Sequence, residues 1–130
     1  MTLIPLISAL ATSAVAQSAP MTAEEFDAYT RGKTLTYATE GNQPYGAEEY
    51  LPNRRARWAF NGEECQEGEW FPAGDMICFL YEDSDGPSCW TFFLTPNGLR
   101  AEFGENSDDP LYEIAESDEP LFCPGPSVGV

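Results

Sequence analysis

The chain is expected to fold as a mainly β, single-domain protein. The expected architecture is an antiparallel meander of seven or eight short strands, a small barrel or a sandwich, with one short N-terminal helix and two disulfides. Three observations predict it. Short runs rich in β-branched and aromatic residues recur along the chain, separated by Pro, Gly, Asn and Asp. Helix signals are confined to one segment near residue 23. Four cysteines, an even number, are spread through a short chain that opens on a leader-like segment.

Residues 1–16 (MTLIPLISALATSAVA) carry no charged side chain and end in Ala14-Val15-Ala16, with small residues where a signal peptidase inspects the chain. The apolar run is too short for a membrane span. It reads as a secretory signal peptide cleaved before Gln17, with only the α-amino group supplying positive charge. Residues 17–130 then form one disulfide-bonded β domain with no membrane span after signal cleavage.

The first element follows at once. Thr22 with Glu25 makes a capping-box pattern, and Met21 with Phe26 fits a hydrophobic staple. A helix over about 23–30 is predicted, stopped by Gly32. Lys33–Thr39 (KTLTYAT) is the first strand, broken by Gly41-Asn42-Gln43-Pro44. Residues 46–51 and 55–60 flank a tight turn at Pro52-Asn53. Asn61-Gly62 opens the next turn, a strand runs over about 65–71, and Pro72-Ala73-Gly74-Asp75 turns again. Residues 76–82 (MICFLYE) and 89–95 (CWTFFLT) are the most apolar strands. Pro96-Asn97-Gly98 leads by a hairpin into 99–103, and a last short strand covers 111–114 before a Pro- and Gly-rich tail.

Turn geometry extends the reading to register. A 61–65 turn centred on Glu63 sets Trp58 against Gly68, Ala56 against Trp70 and Arg57 against Glu69, the glycine leaving room for the indole. Arg57 then sits in an outward charge ladder, with Glu48 or Glu49 on its other side. A turn centred between Ala73 and Gly74 pairs Trp70 with Ile77 and Gly68 with Phe79. Trp58, Trp70, Ile77, Phe79 and Tyr81 share one face, which Trp90, Phe92 and Leu94 extend. Core packing is the simpler reading of that face. The sharper one is a barrel mouth lined for a single apolar molecule. Met76, Cys78 and Leu80 make the opposite face of 76–82 apolar, to be covered by the helix, a disulfide or the tail.

Composition narrows the chemistry. The chain carries 22 Asp and Glu against 6 Lys and Arg, a formal net charge of −16. Nucleic-acid binding is disfavoured, since phosphate contacts need clustered Lys and Arg. The absence of His removes the commonest general base and metal ligand, and with it every Ser-His-Asp or Cys-His arrangement. There is no phosphate-binding or dinucleotide glycine motif, and no cofactor is expected. Paired-carboxylate hydrolysis alone stays open. Asp83-Ser84-Asp85-Gly86 opens like a calcium loop, but the twelfth position is Leu94 instead of Glu. With Glu105, Asp108 and Asp109 it reads better as turn chemistry than as a weak calcium site, and no metal ligands are assigned. Arg54, Arg55 and Arg57 are half the positive residues. They form either an anion site or, the favoured reading, a salt-bridge cluster with Glu48, Glu49, Glu67 and Glu69.

Cys65, Cys78, Cys89 and Cys123 allow three connectivities, and none shows the C-x-x-C spacing of a zinc or redox site. Several stretches resemble a family of small exported alphaproteobacterial proteins without a defined function. They are Cys65, Gly68 and Trp70; the run Ile77-Cys78-Phe79-Leu80-Tyr81-Glu82; Cys89-Trp90; and the ending Leu121-Phe122-Cys123-Pro124-Gly125-Pro126-Ser127-Val128-Gly129-Val130. Gly32-Lys33-Thr34-Leu35 is similar to the start of that family's first strand. The resemblance implies a secreted, disulfide-bonded β domain and no activity. It also gives Cys78 to Cys89 the look of a unit. The pairing Cys78–Cys89 and Cys65–Cys123 follows, the first closing a short loop and the second tying the tail to the sheet. The register above sets Cys78 nearer Phe93 than Cys89, so this pairing requires a shifted turn.

The expected function is a periplasmic or secreted, non-enzymatic binding module, either an inhibitor or a small-ligand binder. Its partner would be a small apolar ligand or a cationic exported protein such as a lysozyme. The alternatives are an envelope interaction protein without a small ligand and, behind it, a carboxylate-dependent hydrolase. The acidity by itself needs no partner, because it suits a saline surrounding.

Overall fold

The structure is a computed structural model that describes residues 19–105 and 108–124, with a few isolated positions before residue 19. Most of the expected leader, residues 1–16, falls outside the described residues, as does the end of the tail from 125 onward.

Helix α1 spans Ala23–Thr30. Thr22 caps it: its hydroxyl accepts from the Glu25 N–H at 3.1 Å, and the Glu25 carboxylate accepts from the Thr22 N–H at 3.0 Å. That reciprocal pair satisfies two otherwise orphaned donors. Gly32 ends the helix at a positive φ of 81°, and its N–H donates to Tyr50 O at 2.8 Å.

Eight antiparallel strands follow: β1 Thr34–Thr39, β2 Gln43–Tyr50, β3 Arg55–Phe60, β4 Gln66–Ala73, β5 Met76–Tyr81, β6 Ser88–Thr95, β7 Gly98–Phe103 and β8 Leu111–Ser117. Each pairs with the next, and β8 returns to β1 with Thr34 opposite Ser117. That last pairing makes the meander a closed barrel and settles the choice against a sandwich.

Two prolines expected to break strands lie inside them. Pro44 pairs with Ala38, and Pro72 with Ile77. Both stand where β3 supplies no partner on the other side, because the β2–β3 ladder starts at Gly46 and the β3–β4 ladder stops at Glu69. An unpaired edge tolerates the missing N–H. The turn after β4 is therefore only Gly74-Asp75, and Trp70 pairs with Phe79, not Ile77. The 61–65 turn is centred on Gly62, so Trp58 pairs with Gln66, Ala56 with Gly68 and Arg57 with Glu67, not with Glu69. Each register differs from the expected one by two residues. An even shift leaves every side chain on its expected face.

Cys78 and Cys89 are directly opposed in the β5–β6 ladder and form a disulfide on the outer face. The register here is thus shifted by four residues from the sketch that set Cys78 beside Phe93. Cys65 pairs with Cys123. Beyond β8 the chain runs back along the outside of the barrel. The Thr34 hydroxyl donates to Glu119 O at 2.7 Å, and the Leu121 N–H donates to the Glu49 carboxylate at 3.2 Å. Two disulfides indicate an oxidising, non-cytoplasmic compartment. Among the described residues no helix is long and apolar enough to cross a membrane.

The two barrel ends differ. The β2–β3, β4–β5 and β6–β7 connections lie at the end that α1 covers. Phe26 on α1 is completely buried and enters the barrel, with its ring centroid 5.1 Å from Trp70, 5.5 Å from Tyr50 and 4.6 Å from Phe92. Burying such a side chain contributes roughly 1.5–3 kcal/mol. Leu35, Ile77 and Leu99 complete this packed end. The Tyr29 hydroxyl donates to Glu113 at 2.8 Å, and the same carboxylate accepts from the Leu99 N–H, which ties α1 to β7 and β8.

Candidate functional site: a cavity at the open end of the barrel

The other end carries the connections 40–42, 61–65, 82–87 and 104–110. Inside it lies a cavity of about 480 Å³. Strand alternation builds its wall, since every second residue of each strand points inward. Tyr37 and Thr39 come from β1, Glu48 and Tyr50 from β2, Trp58 and Phe60 from β3, and Gln66 from β4. Phe79 and Tyr81 come from β5, Trp90 and Phe92 from β6, Ala101 and Phe103 from β7, and Leu111 from β8. Ser84 and Asp109 stand at the mouth on its loops.

Five of the six residues expected on one aromatic face line this cavity: Trp58, Phe79, Tyr81, Trp90 and Phe92. Trp70 points inward too, but packs beneath the cavity against Phe26. Leu94 has the same parity and lies half-exposed beside the β6–β7 hairpin. The face thus divides along the barrel axis, packed core at the α1 end and cavity lining at the mouth. The rings at the mouth support one another. Trp58 meets Phe60 edge-on at 5.4 Å, Trp90 meets Phe103 edge-on at 5.2 Å, and Phe79 stacks on Tyr81 at 6.3 Å.

A glycine does make room for Trp58, but it is Gly46. A Cβ there would come within 2.5 Å of the indole. Gly68, the glycine expected in that role, accommodates Tyr81 instead, whose ring would lie 2.7 Å from an added Cβ. The two-residue register shift exchanges the partners without changing the principle.

Glu48 is the residue that sequence reasoning misplaced. It was expected as a member of the arginine salt-bridge cluster and as an alternative to Glu49 in the outward ladder of Arg57, yet it points into the barrel and is only 2% exposed. The Tyr81 hydroxyl donates to its Oε1 at 2.7 Å, and its Oε2 has no hydrogen-bond partner among the described residues. Burial pushes its carboxyl up to about 8, and the Tyr81 bond works against that rise. Glu48 is therefore mostly protonated at neutral pH. Burial likewise raises the hydroxyls of Tyr37, Tyr50 and Tyr81, so all three stay protonated. Tyr37 and Tyr50 share a hydrogen bond of 2.8 Å. A signal for Glu48 was present in the sequence: Glu48 and Glu49 are adjacent in a strand, so one of the two must point inward.

The three arginines do not converge. Arg57 pairs on the outer wall with Glu49 at 3.0 Å and with Glu67. Arg54 lies over the Trp70 ring at 5.0 Å, a cation–π contact near the closed end. Arg55 is exposed opposite Glu69. The cluster is thus a single bridged residue with two neighbours that act elsewhere. In the 82–87 loop the Ser84 hydroxyl donates to Tyr81 O at 2.8 Å, as turn chemistry requires. Among the described residues no three acidic or thiol side chains converge as a metal-binding group.

The cavity wall is aromatic, with a few polar atoms at fixed places. Its charged residues are both acidic, Glu48 within and Asp109 at the mouth, and neither Lys nor Arg lines it. Such a wall can hold an apolar body by contact and orient one polar group on Glu48 or a tyrosine hydroxyl. Comparison with family models, with curated proteins and with solved structures finds no match, so the site's own chemistry carries the functional reading.

Proposed function

We propose that this is an exported, non-enzymatic binding protein that carries one small, predominantly apolar molecule inside the barrel, in the periplasm or the surrounding medium. The carrying observation is the cavity itself. About 480 Å³ of space, open at one end and walled by aromatic rings, falls within the ordinary range of small-molecule sites. The closed end, plugged by Phe26, gives the space a floor. The buried Glu48 adds support, because an incompletely partnered carboxyl is a cost that a ligand could offset. The leader-like residues 1–16 supply export, and the disulfides accord with it. A paired-carboxylate hydrolase is a weaker reading, since the cavity's two acids sit in unlike settings, Glu48 deep in the wall and Asp109 exposed on a loop.

The test is native mass spectrometry of the mature protein isolated from its own periplasm or medium, followed by titration with the neutral fluorophore N-phenyl-1-naphthylamine. An added small-molecule mass that disappears on denaturation, or saturable probe uptake at one site, is expected. A bare chain that also fails to take up the probe would overturn the carrier reading and return attention to a protein partner.

A further inference from the structure

We propose that the cavity selects a small organic amine in its protonated form, with the ammonium group held by Glu48 and the apolar body packed against the aromatic wall. The inference rests on the carrier reading above and adds the chemical class of its ligand.

Four observations carry it. Glu48 is an almost fully buried acid that lines the cavity, and its Oε2 has no hydrogen-bond partner among the described residues. Tyr81 holds the other oxygen at 2.7 Å and fixes the direction of the carboxyl. Trp58 is the register neighbour of Glu48 on the same inward face, so an aromatic ring flanks the carboxyl. Indole and phenol faces attract a cation within about 6 Å of their centroids. Finally, the charge is one-sided: neither Lys nor Arg lines the cavity, and Asp109 at the mouth is acidic as well.

These features discriminate between ligand classes. A fatty acid or another organic anion would meet no cation inside, and from about pH 8, where Glu48 ionises, it would meet a carboxylate that opposes its entry. A neutral alcohol can use the tyrosine hydroxyls but gains no charge-assisted bond. A protonated amine gains both a charge-assisted hydrogen bond to the carboxylate and contact with the rings. The net charge of −16 raises the local concentration of cations for the same ligand.

A pH signature follows. The groups that face Glu48 are the Tyr81 hydroxyl on β5, with the Tyr37 and Tyr50 hydroxyls on β1 and β2, all protonated throughout the neutral range. Glu48 is then the group that titrates there, and an ammonium ligand must displace its proton. Amine affinity should rise roughly tenfold per pH unit between pH 6 and 7 and level off above pH 8.

The experiment is calorimetric titration of the disulfide-bonded protein with three matched probes: 1-naphthylmethylamine, 1-naphthalenemethanol and 1-naphthoic acid. At pH 8 and 0.15 M salt the amine should bind about tenfold or more tighter than the alcohol, and the acid weakest. The Glu48→Gln variant should lose the preference for the amine while still binding the alcohol. Three outcomes overturn the proposal and leave the carrier reading standing. The alcohol matches the amine at pH 8, or the amine itself binds better as the pH falls. Alternatively, the preference for the amine survives Glu48→Gln, which would assign it to the general field of the acidic surface. If none of the three probes binds, the carrier reading falls and takes this one with it.

Discussion

Replacing Glu48 by Gln should stabilise the folded protein, and the gain should grow with pH. Burial holds the Glu48 carboxyl at about 8, against an ordinary value of 4.5. Below pH 4.5 the group is protonated in both folded and unfolded chains and contributes no pH dependence. Between pH 4.5 and 8 the unfolded chain releases this proton while the folded chain keeps it. The folded state then binds more protons, so rising pH works against folding. Each pH unit in that window corresponds to ~1.4 kcal/mol. The wild type therefore loses ~3 kcal/mol by pH 7 and ~5 kcal/mol above pH 8, relative to a side chain that never ionises. Gln has nearly the same shape and can still accept the Tyr81 hydroxyl. At pH 4.5 the two proteins should agree to within about 1 kcal/mol, because each then presents one unpartnered polar atom at the site. By pH 7 the variant should melt on the order of 10 °C higher. The assay is urea and thermal unfolding of both proteins at pH 4.5, 6, 7 and 8 and constant ionic strength. Taking the difference between the two removes the background from the other acidic residues. A difference that stays constant across this range, or a wild type that is the more stable at pH 7, would refute the reasoning.

Three further outcomes are expected. Gly46→Ala places a methyl group 2.5 Å from both Ala59 O and the Trp58 ring. It should cost ~1–3 kcal/mol by urea unfolding and alter tryptophan emission; a neutral substitution would mean that Trp58 does not depend on that space. Phe26→Ala removes the plug at the closed end and should cost ~3–5 kcal/mol, read by thermal unfolding, with far-UV circular dichroism retained at low temperature. The two disulfides close loops of different length, with separations of 58 and 11 residues. On chain entropy, removing Cys65–Cys123 should cost ~4 kcal/mol and Cys78–Cys89 ~3 kcal/mol. Paired Cys→Ala variants compared by denaturation test that order, and equal or reversed costs would contradict it.

Much of the fold was legible in local chemistry. Thr22, Glu25 and Gly32 delimit α1 because caps and left-handed stops act within one turn of helix. The eight strands follow from short β-rich runs between turn residues. The inward set of Trp58, Trp70, Ile77, Phe79 and Phe92 follows from alternation, and it survived three register errors because all were even. The cysteine pairing was within reach through the short span from Cys78 to Cys89, whereas the register that sets the two directly opposite each other was not.

Local sequence therefore sets the strands, their faces, the capped helix and the excess of negative charge. Each of these depends on neighbours along the chain or on a simple count. The assembled barrel is what closes β8 on β1, gives Trp58 the space at Gly46 and not Gly68, and turns Glu48 and not Glu49 inward. It alone decided that the aromatic face is packed at the α1 end and open at the other. The physical reason is that closure and register depend on contacts between residues far apart in the chain. A cavity depends on still more, because it is the volume left over when every side chain in the barrel has taken its place.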